Sequence, residues 1–240
     1  MMIRRINIPF ENQMSGTQTI LGWIYLAAHA AVLPYLLGLL AKYSPEPLSD
    51  AAANLIYYAI GIVFCLTVMF TFLRRSFDRL VDNLRLCILT VFLALMLDYA
   101  LSGIAALLLL LVDGMVENPN NATVMEMADQ SGGTVKAIGI FLAPIVEEIL
   151  FRGVLFGSIR TRSRIWAYVA SVAAFSLYHV WQYAIVGGDP AMLLYALQYV
   201  PVSIVLAWAY ERSGSIWTNI FFHMGFNAMS FYVLSIVDKL

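Results

Sequence analysis

Charge is scarce in this chain: 12% of its 240 residues are Asp, Glu, Lys or Arg, against 61% that are hydrophobic. A soluble core needs far less apolar surface, and a mean hydropathy of +0.79 places the sequence among polytopic membrane proteins. Lys and Arg together number 14 and the net charge is −1, which argues against a nucleic-acid groove and against an acidic partner. Cysteine is nearly absent. Cys65 and Cys87 lie within or at the edge of apolar segments without metal-ligand spacing, which argues against a disulfide framework or a zinc knuckle. Neither an internal repeat nor a linker interrupts the chain, so residues 1–240 read as a single transmembrane domain. Arg4 and Arg5 precede an apolar run through the small-x-small triplet Ala28-His29-Ala30, the outline of a signal peptide. That run continues to Leu40, too long for such a segment, and reads as a retained membrane helix.

What the chain has in quantity is apolar windows of spanning length. They fall at about 18–41, 51–73, 86–112, 135–157, 165–186, 191–210 and 216–237, which predicts an all-α bundle of about seven transmembrane helices. The third window is long enough to tilt or to hide a break near Ser102-Gly103. Arginines cluster in alternate connections: Arg4 and Arg5, then Arg74, Arg75, Arg79 and Arg85, then Arg160, Arg162 and Arg164, then Arg212. The opposite loops hold Lys42, Lys136 and Lys239 among the acids Glu46, Asp50, Asp113, Glu117, Glu126, Asp129 and Asp189. By the positive-inside rule the N-terminus is cytoplasmic and the C-terminus outside, as an odd number of crossings requires. This describes a multi-pass protein of the cell's cytoplasmic (inner) membrane. The longest polar insertion, Asp113 to Thr134, carries Asn118-Pro119-Asn120-Asn121 and Gly132-Gly133 as turn signals and a chance-level glycosylation triplet, Asn121-Ala122-Thr123. Between Arg74 and Arg85 arginines alternate with Phe77, Leu80, Val81 and Leu84, a pattern suited to the headgroup layer.

The chain is organised around Ala143–Gly153, APIVEEILFRG, which sets Glu147, Glu148 and Arg152 inside an apolar span. One carboxylate there costs at least about 2.5–3.5 kcal/mol, so two of them with an Arg need a reason. On a helix Arg152 lies about 40° round the axis from Glu148 and about 140° from Glu147. Arg152 can therefore neutralise Glu148 and leave Glu147 free. Pro144, one turn earlier, removes a backbone N–H and is expected to orphan the carbonyl of Ile140, kinking the helix and admitting water beside Glu147.

Three other polar positions can join this cluster. His179 lies deep in the fifth span, and His223 and Asn227 stack on one face of the seventh. At about 1.5 Å per residue Glu147, His179 and His223 lie about 16, 20 and 11 Å from the cytoplasmic ends of their helices, depths that tilt can reconcile. His29 in the first span reads as a packing or hydrogen-bonding residue. Asp98, with Ser102 one turn on, reads chiefly as a hydrogen-bonding residue within the bundle, and Gln198 with Pro201 as a local kink and its polar filler.

A free carboxylate and a neutral imidazole in a dry pocket are the parts of a general base that activates water, and a second imidazole with a carboxamide supplies donors for an oxyanion. Together they suit peptide-bond hydrolysis. The same Glu, His and His could instead hold zinc with a water in its open position, although no HExxH motif occurs.

Glu147-Glu148 with Arg152 in an EExxxR arrangement, Phe175 and His179 as FxxxH, and His223 and Asn227 as HxxxN resemble the three motifs of the CPBP family. That is the family of CAAX prenyl proteases and bacteriocin-processing (Abi) enzymes. The resemblance covers roughly residues 143–230; residues 1–134 form N-terminal helices without a family motif, and 135–240 the catalytic core helices. It implies an all-α intramembrane endopeptidase acting on a membrane-associated protein or peptide, with Glu147 and His179 activating water and His223 and Asn227 stabilising the oxyanion. Glu148 and Arg152 would orient the site or meet the substrate, and Phe175 would pack against substrate. It leaves metal dependence open, since the glutamate mechanism requires no cofactor while zinc is possible. Two other function classes fit the same residues. One is a proton- or cation-coupled carrier with a relay through Glu147, Glu148, Asp98 and His179; the other is a non-catalytic immunity or scaffold protein on the same fold.

Overall fold

The computed structural model describes residues 10–45, 48–113, 118–131 and 133–237; Arg4, Arg5, Glu46, Glu117, Gly132 and Lys239 fall outside them. Among the described residues the chain is all helix, without strands. We label the helices α1 (Gly16–Tyr43), α2 (Asp50–Thr67), α3 (Phe70–Asp82), α4 (Leu84–Asp113) and α5 (Pro119–Gln130). They are followed by α6 (134–160), α7 (Arg164–Tyr178), α8 (Trp181–Ile185), a 3-10 helix Pro190–Gln198, α9 (Val200–Ser213) and α10 (Ile216–Val237).

Helix α6 is the axis of the bundle. Every residue from 146 to 157 is buried, and α1, α2, α7, α9 and α10 all pack against it. A helix apolar on all sides belongs inside, whereas α1, α2 and α4 turn long apolar faces outward, as lipid-facing helices do. Small residues permit the close approach. A Cβ on Gly22 would come 2.5 Å from Val154, and one on Gly61 would come 2.7 Å from Val146.

Among the described residues three helices are long and apolar enough to cross a membrane: Gly16–Tyr43, Asp50–Thr67 and Leu84–Leu111. A fourth span is added if the pair Pro190–Gln198 and Val200–Ser213, bent by 46°, counts as one. This is fewer than the seven expected from hydropathy windows, for reasons visible in the chain. Helix α6 carries Glu147, Glu148 and Arg152; the 165–186 window stops being one helix after Tyr178; and α10 carries Asn219, His223 and Asn227. The polar groups that make these segments interesting are the ones that lower their apparent apolarity. The expected break near Ser102-Gly103 is absent, because α4 runs unbroken for 30 residues.

Asn118-Pro119 proves to be a helix start rather than a turn. Asn118 Oδ1 accepts from the backbone N of Asn120 and of Asn121, and Pro119 takes the first position of α5, where its missing N–H costs nothing. Helix α3 buries Phe72, Leu73, Ser76 and Leu80 and exposes Phe70, Phe77 and Val81 beside Arg74. It is bolted to the start of α10, where the Ile216 N–H donates to Ser76 Oγ at 2.7 Å and Trp217 Nε1 to the Leu73 carbonyl at 3.0 Å.

Of the three π segments among the described residues, two lie just before a proline. In α1 the Leu33 N–H reaches back five residues to Ala28; in α6 the Ala143 N–H reaches back five to Ile138. In that register the next bonds would come from Pro34 and Pro144, which have no N–H, so the orphaned carbonyls are those of His29 and Gly139. Both are satisfied by side chains: Tyr57 OH donates to the His29 carbonyl at 2.7 Å and Asn227 Nδ2 to the Gly139 carbonyl at 2.8 Å. The orphan expected at Ile140 is thus displaced by one residue.

Gly61→Leu is expected to destabilise the bundle by about 1–3 kcal/mol through overpacking against Val146. Thermal unfolding in detergent reads this, and a wild-type melting temperature would show that α2 and α6 are not in that contact.

Candidate active site

The site is built on α6. Glu148 is fully buried and shared by three donors: Arg152 Nη1 at 3.1 Å and His223 Nδ1 at 2.9 Å on Oε1, and Asn219 Nδ2 at 3.0 Å on Oε2. Arg152 is equally buried. Its Nη2 donates to Ser203 Oγ at 3.0 Å, and its guanidinium lies 4.1 Å from the ring centroid of Phe175. The pairing of Glu148 with Arg152 read from helical spacing is therefore present, extended by contacts that bind α6 to α7, α9 and α10.

Glu147 faces elsewhere. Its Oε1 accepts from Tyr58 OH at 2.9 Å, and its Oε2 lies 4.0 Å from His179 Nε2 and 3.9 Å from His223 Nε2. Both imidazoles are oriented from behind. His179 Nδ1 is 2.8 Å from the Phe175 carbonyl, which can only accept, so Nδ1 carries the proton and Nε2 presents a lone pair. His223 Nδ1 is likewise committed to the Glu148 carboxylate. The His179 ring stacks on Tyr199 with centroids 4.2 Å apart. Gaps near 4 Å are too long for direct hydrogen bonds and of the size that one water bridges.

The structure thus brings Glu147, His179 and His223 together and puts Glu148, Arg152 and Phe175 behind them. Phe175 is 1% exposed, pressed between Arg152 and Phe151. Asn227 turns away to the Gly139 carbonyl, where it holds the π turn before Pro144. Asp98 is buried on α4 with Ser102 at 3.5 Å from its Oδ1. His29 stacks on Tyr57 and lies 3.4 Å from Tyr178 OH, a packing and hydrogen-bonding role. Gln198 sits at the 46° bend before Val200–Ser213, and its Oε1 accepts from Asn118 Nδ2.

Four contributors had gone unnoticed. Asn219 was legible, lying four residues before His223 and eight before Asn227 on the same helical face. Ser203, Tyr199 and Tyr58 carried no signal, being ordinary residues of apolar helices.

Residues 134–229 match the family described as Type II CAAX prenyl endopeptidase Rce1-like. This segment is similar to that family. It spans α6 to α10 and contains all three motifs, so the resemblance read from EExxxR, FxxxH and HxxxN holds. The chain is also 24% identical over 180 residues, 72% of its length and 68% of the relative's, to the Bacillus subtilis protein named "Putative membrane peptidase YdiL". No solved structure gives a significant match. The chain is a membrane protein with several candidate spans and a segment similar to that peptidase family.

Zinc was the cofactor the residues could invite. Among the described residues no group of three or more His, Cys, Asp or Glu has the arrangement to hold a metal ion. The oxygen-to-nitrogen gaps of 3.9 and 4.0 Å at Glu147 are wider than donors about 2.0–2.1 Å from one zinc ion comfortably allow. The residues as they stand do not fit a zinc ion.

Removing Arg152 alone should leave Glu148 a buried charge short of its principal partner. Arg152→Leu is expected to cost about 3–5 kcal/mol of stability. The check is thermal or denaturant unfolding of purified protein in detergent, where a loss under 1 kcal/mol would contradict the pairing.

Proposed function

We propose that the protein is an intramembrane endopeptidase that cleaves a peptide bond in a membrane-associated protein or peptide. The observation that carries this reading is the convergence of Glu147 Oε2 with the Nε2 atoms of His179 and His223 across gaps of 3.9–4.0 Å. A water in that gap donates to Glu147 Oε2 and to His179 Nε2, which aligns its lone pair for attack on a carbonyl carbon. Glu147 takes the proton released on attack and delivers it to the departing amine. His223 Nε2, protonated, serves the oxyanion.

Charge balance supports that assignment. Glu147, Glu148 and Arg152 sum to −1 with both imidazoles neutral, and one proton on His223 makes the buried cluster neutral with Glu147 still ionised. Asn227, bonded to the Gly139 carbonyl, acts by holding α10 against the π turn of α6 rather than by touching the oxyanion. Phe175 carries Arg152 and orients His179. No step is routed through a metal ion.

The Rce1-like match favours a CAAX-type, lipid-modified substrate among the membrane-associated candidates. An apolar groove of about 350 Å³ between α1, α6, α7 and α8, walled by Trp23, Phe151, Leu155, Tyr178 and Trp181, suits a hydrocarbon chain beside the peptide. The cytoplasmic membrane, seven crossings and a cytoplasmic N-terminus complete the proposal. In support, Arg79, Arg160 and Arg164 gather at one end of the bundle, paired with Glu11 and Glu211.

Membrane-fraction peptide termini compared between wild-type and Glu147→Gln cells test the activity. Termini that vanish in the mutant are expected, with cleavage lowered at least about 100-fold in Glu147→Gln, His179→Ala and His223→Ala. Intact cleavage in all three would end the reading. Activity is expected to survive a chelator; loss restored by added zinc would replace the general base with a metal. Topology is checked separately by reporter fusions: one after Arg162 should be active only in the cytoplasm and one at the C-terminus only outside. A cytoplasmic C-terminal reporter would overturn the odd number of crossings.

A further inference from the structure

Two adjacent pairs of residues meet across the bundle. Tyr57 and Tyr58 are consecutive on α2, and Tyr178 and His179 are consecutive at the end of α7. The first members bond each other, with Tyr57 and Tyr178 hydroxyls 2.9 Å apart. The second members both face Glu147: Tyr58 OH lies 2.9 Å from Oε1 and His179 Nε2 4.0 Å from Oε2.

Proton counting fixes how the first contact is made. Tyr57 has one hydroxyl proton, and the His29 carbonyl at 2.7 Å can only accept, so that proton is spent there. The bond between the two tyrosines is then donated by Tyr178, whose hydroxyl also lies against that of Tyr58. Tyr178 in turn can only accept from His29 Nε2 at 3.4 Å, so His29 carries its proton on Nε2. The ring His29, Tyr57, Tyr178 closes with every hydroxyl proton used. It joins α1, α2 and α7, and it starts at the carbonyl that Pro34 leaves bare.

We propose that Tyr58 is a positioning residue of the same site, and that the Tyr57–Tyr178 bond is the clamp that sets it. The proposal rests on the reading of Glu147 as general base. A carboxylate has two oxygens, and a base free to rotate would present either. The Tyr58 hydroxyl occupies Oε1 and holds the carboxylate plane so that Oε2 alone faces the two Nε2 atoms. A one-residue slip between α2 and α7 would carry Tyr58 and His179 off Glu147 together. The helices that carry no motif thus supply half of the geometry that the motifs need.

The test is steady-state cleavage by purified full-length protein in detergent or liposomes, with an assay peptide taken from the termini comparison. Tyr58→Phe, which removes one oxygen, is expected to lower kcat tenfold or more with KM within twofold and an unchanged melting temperature. Tyr57→Phe, which keeps the Tyr58 hydroxyl, should lower kcat two- to fivefold with KM likewise unchanged. A folded Tyr58→Phe protein with wild-type kcat, or one whose loss lies in KM, overturns the positioning role. If Tyr58→Phe does not purify folded, Tyr57→Phe decides, and wild-type kcat there overturns the clamp. Glu147→Gln is measured alongside. An active Glu147→Gln sinks the base itself, whereas an inactive Glu147→Gln with an active Tyr58→Phe sinks only this inference.

Discussion

A single carboxylate shared by three donors holds the centre of this protein. Glu148 accepts from Arg152, His223 and Asn219 in a fully buried position, and those donors lie on α6 and α10. Through Arg152 the network reaches Ser203 on α9 and the face of Phe175 on α7. Such a network is costly if incomplete, since one missing partner strands a charge in low dielectric. Completed, it fixes the relative rotation of four helices. Because Glu147 is the next residue, that rotation also decides where the free carboxylate points.

Proline contributes a second constraint. Pro34 and Pro144 each withhold an N–H, and in both helices a π turn shifts the orphaned carbonyl to a place where a side chain from another helix can reach it. Tyr57 and Asn227 are those side chains. A defect within one helix thereby becomes a contact between two, and each such contact lies next to the site. The Asn of the third motif is one of these two side chains, joining α10 to α6 at the Gly139 carbonyl.

The motifs were legible because intramembrane charge is expensive and helical spacing is strict. Glu148 with Arg152 followed from four-residue spacing, and His179 and His223 from their depth in apolar windows. What stayed hidden was anything carried by π register or by uncharged residues. The carbonyl freed by Pro144 was expected at Ile140, on the assumption of a regular α-helix, and lies at Gly139. Tyr58 and Tyr199 are aromatic residues among many in apolar helices, and nothing in spacing distinguishes them from packing. By length and composition three or four of the seven expected spans are recognised among the described residues, for a related physical reason: charge and amide groups in α6 and α10 lower the apolarity by which a crossing is recognised.

The central claim is that one water, held by Glu147 and His179, attacks a carbonyl whose oxygen is met by His223. A structure of the protein bound to a peptide bearing a hydrated ketone in place of the scissile bond tests it most directly. The account predicts one hydroxyl of the hydrate within hydrogen-bond distance of both Glu147 Oε2 and His179 Nε2, and the other at His223 Nε2. A hydrate bound away from Glu147, with the carboxylate still facing an empty gap, would contradict it.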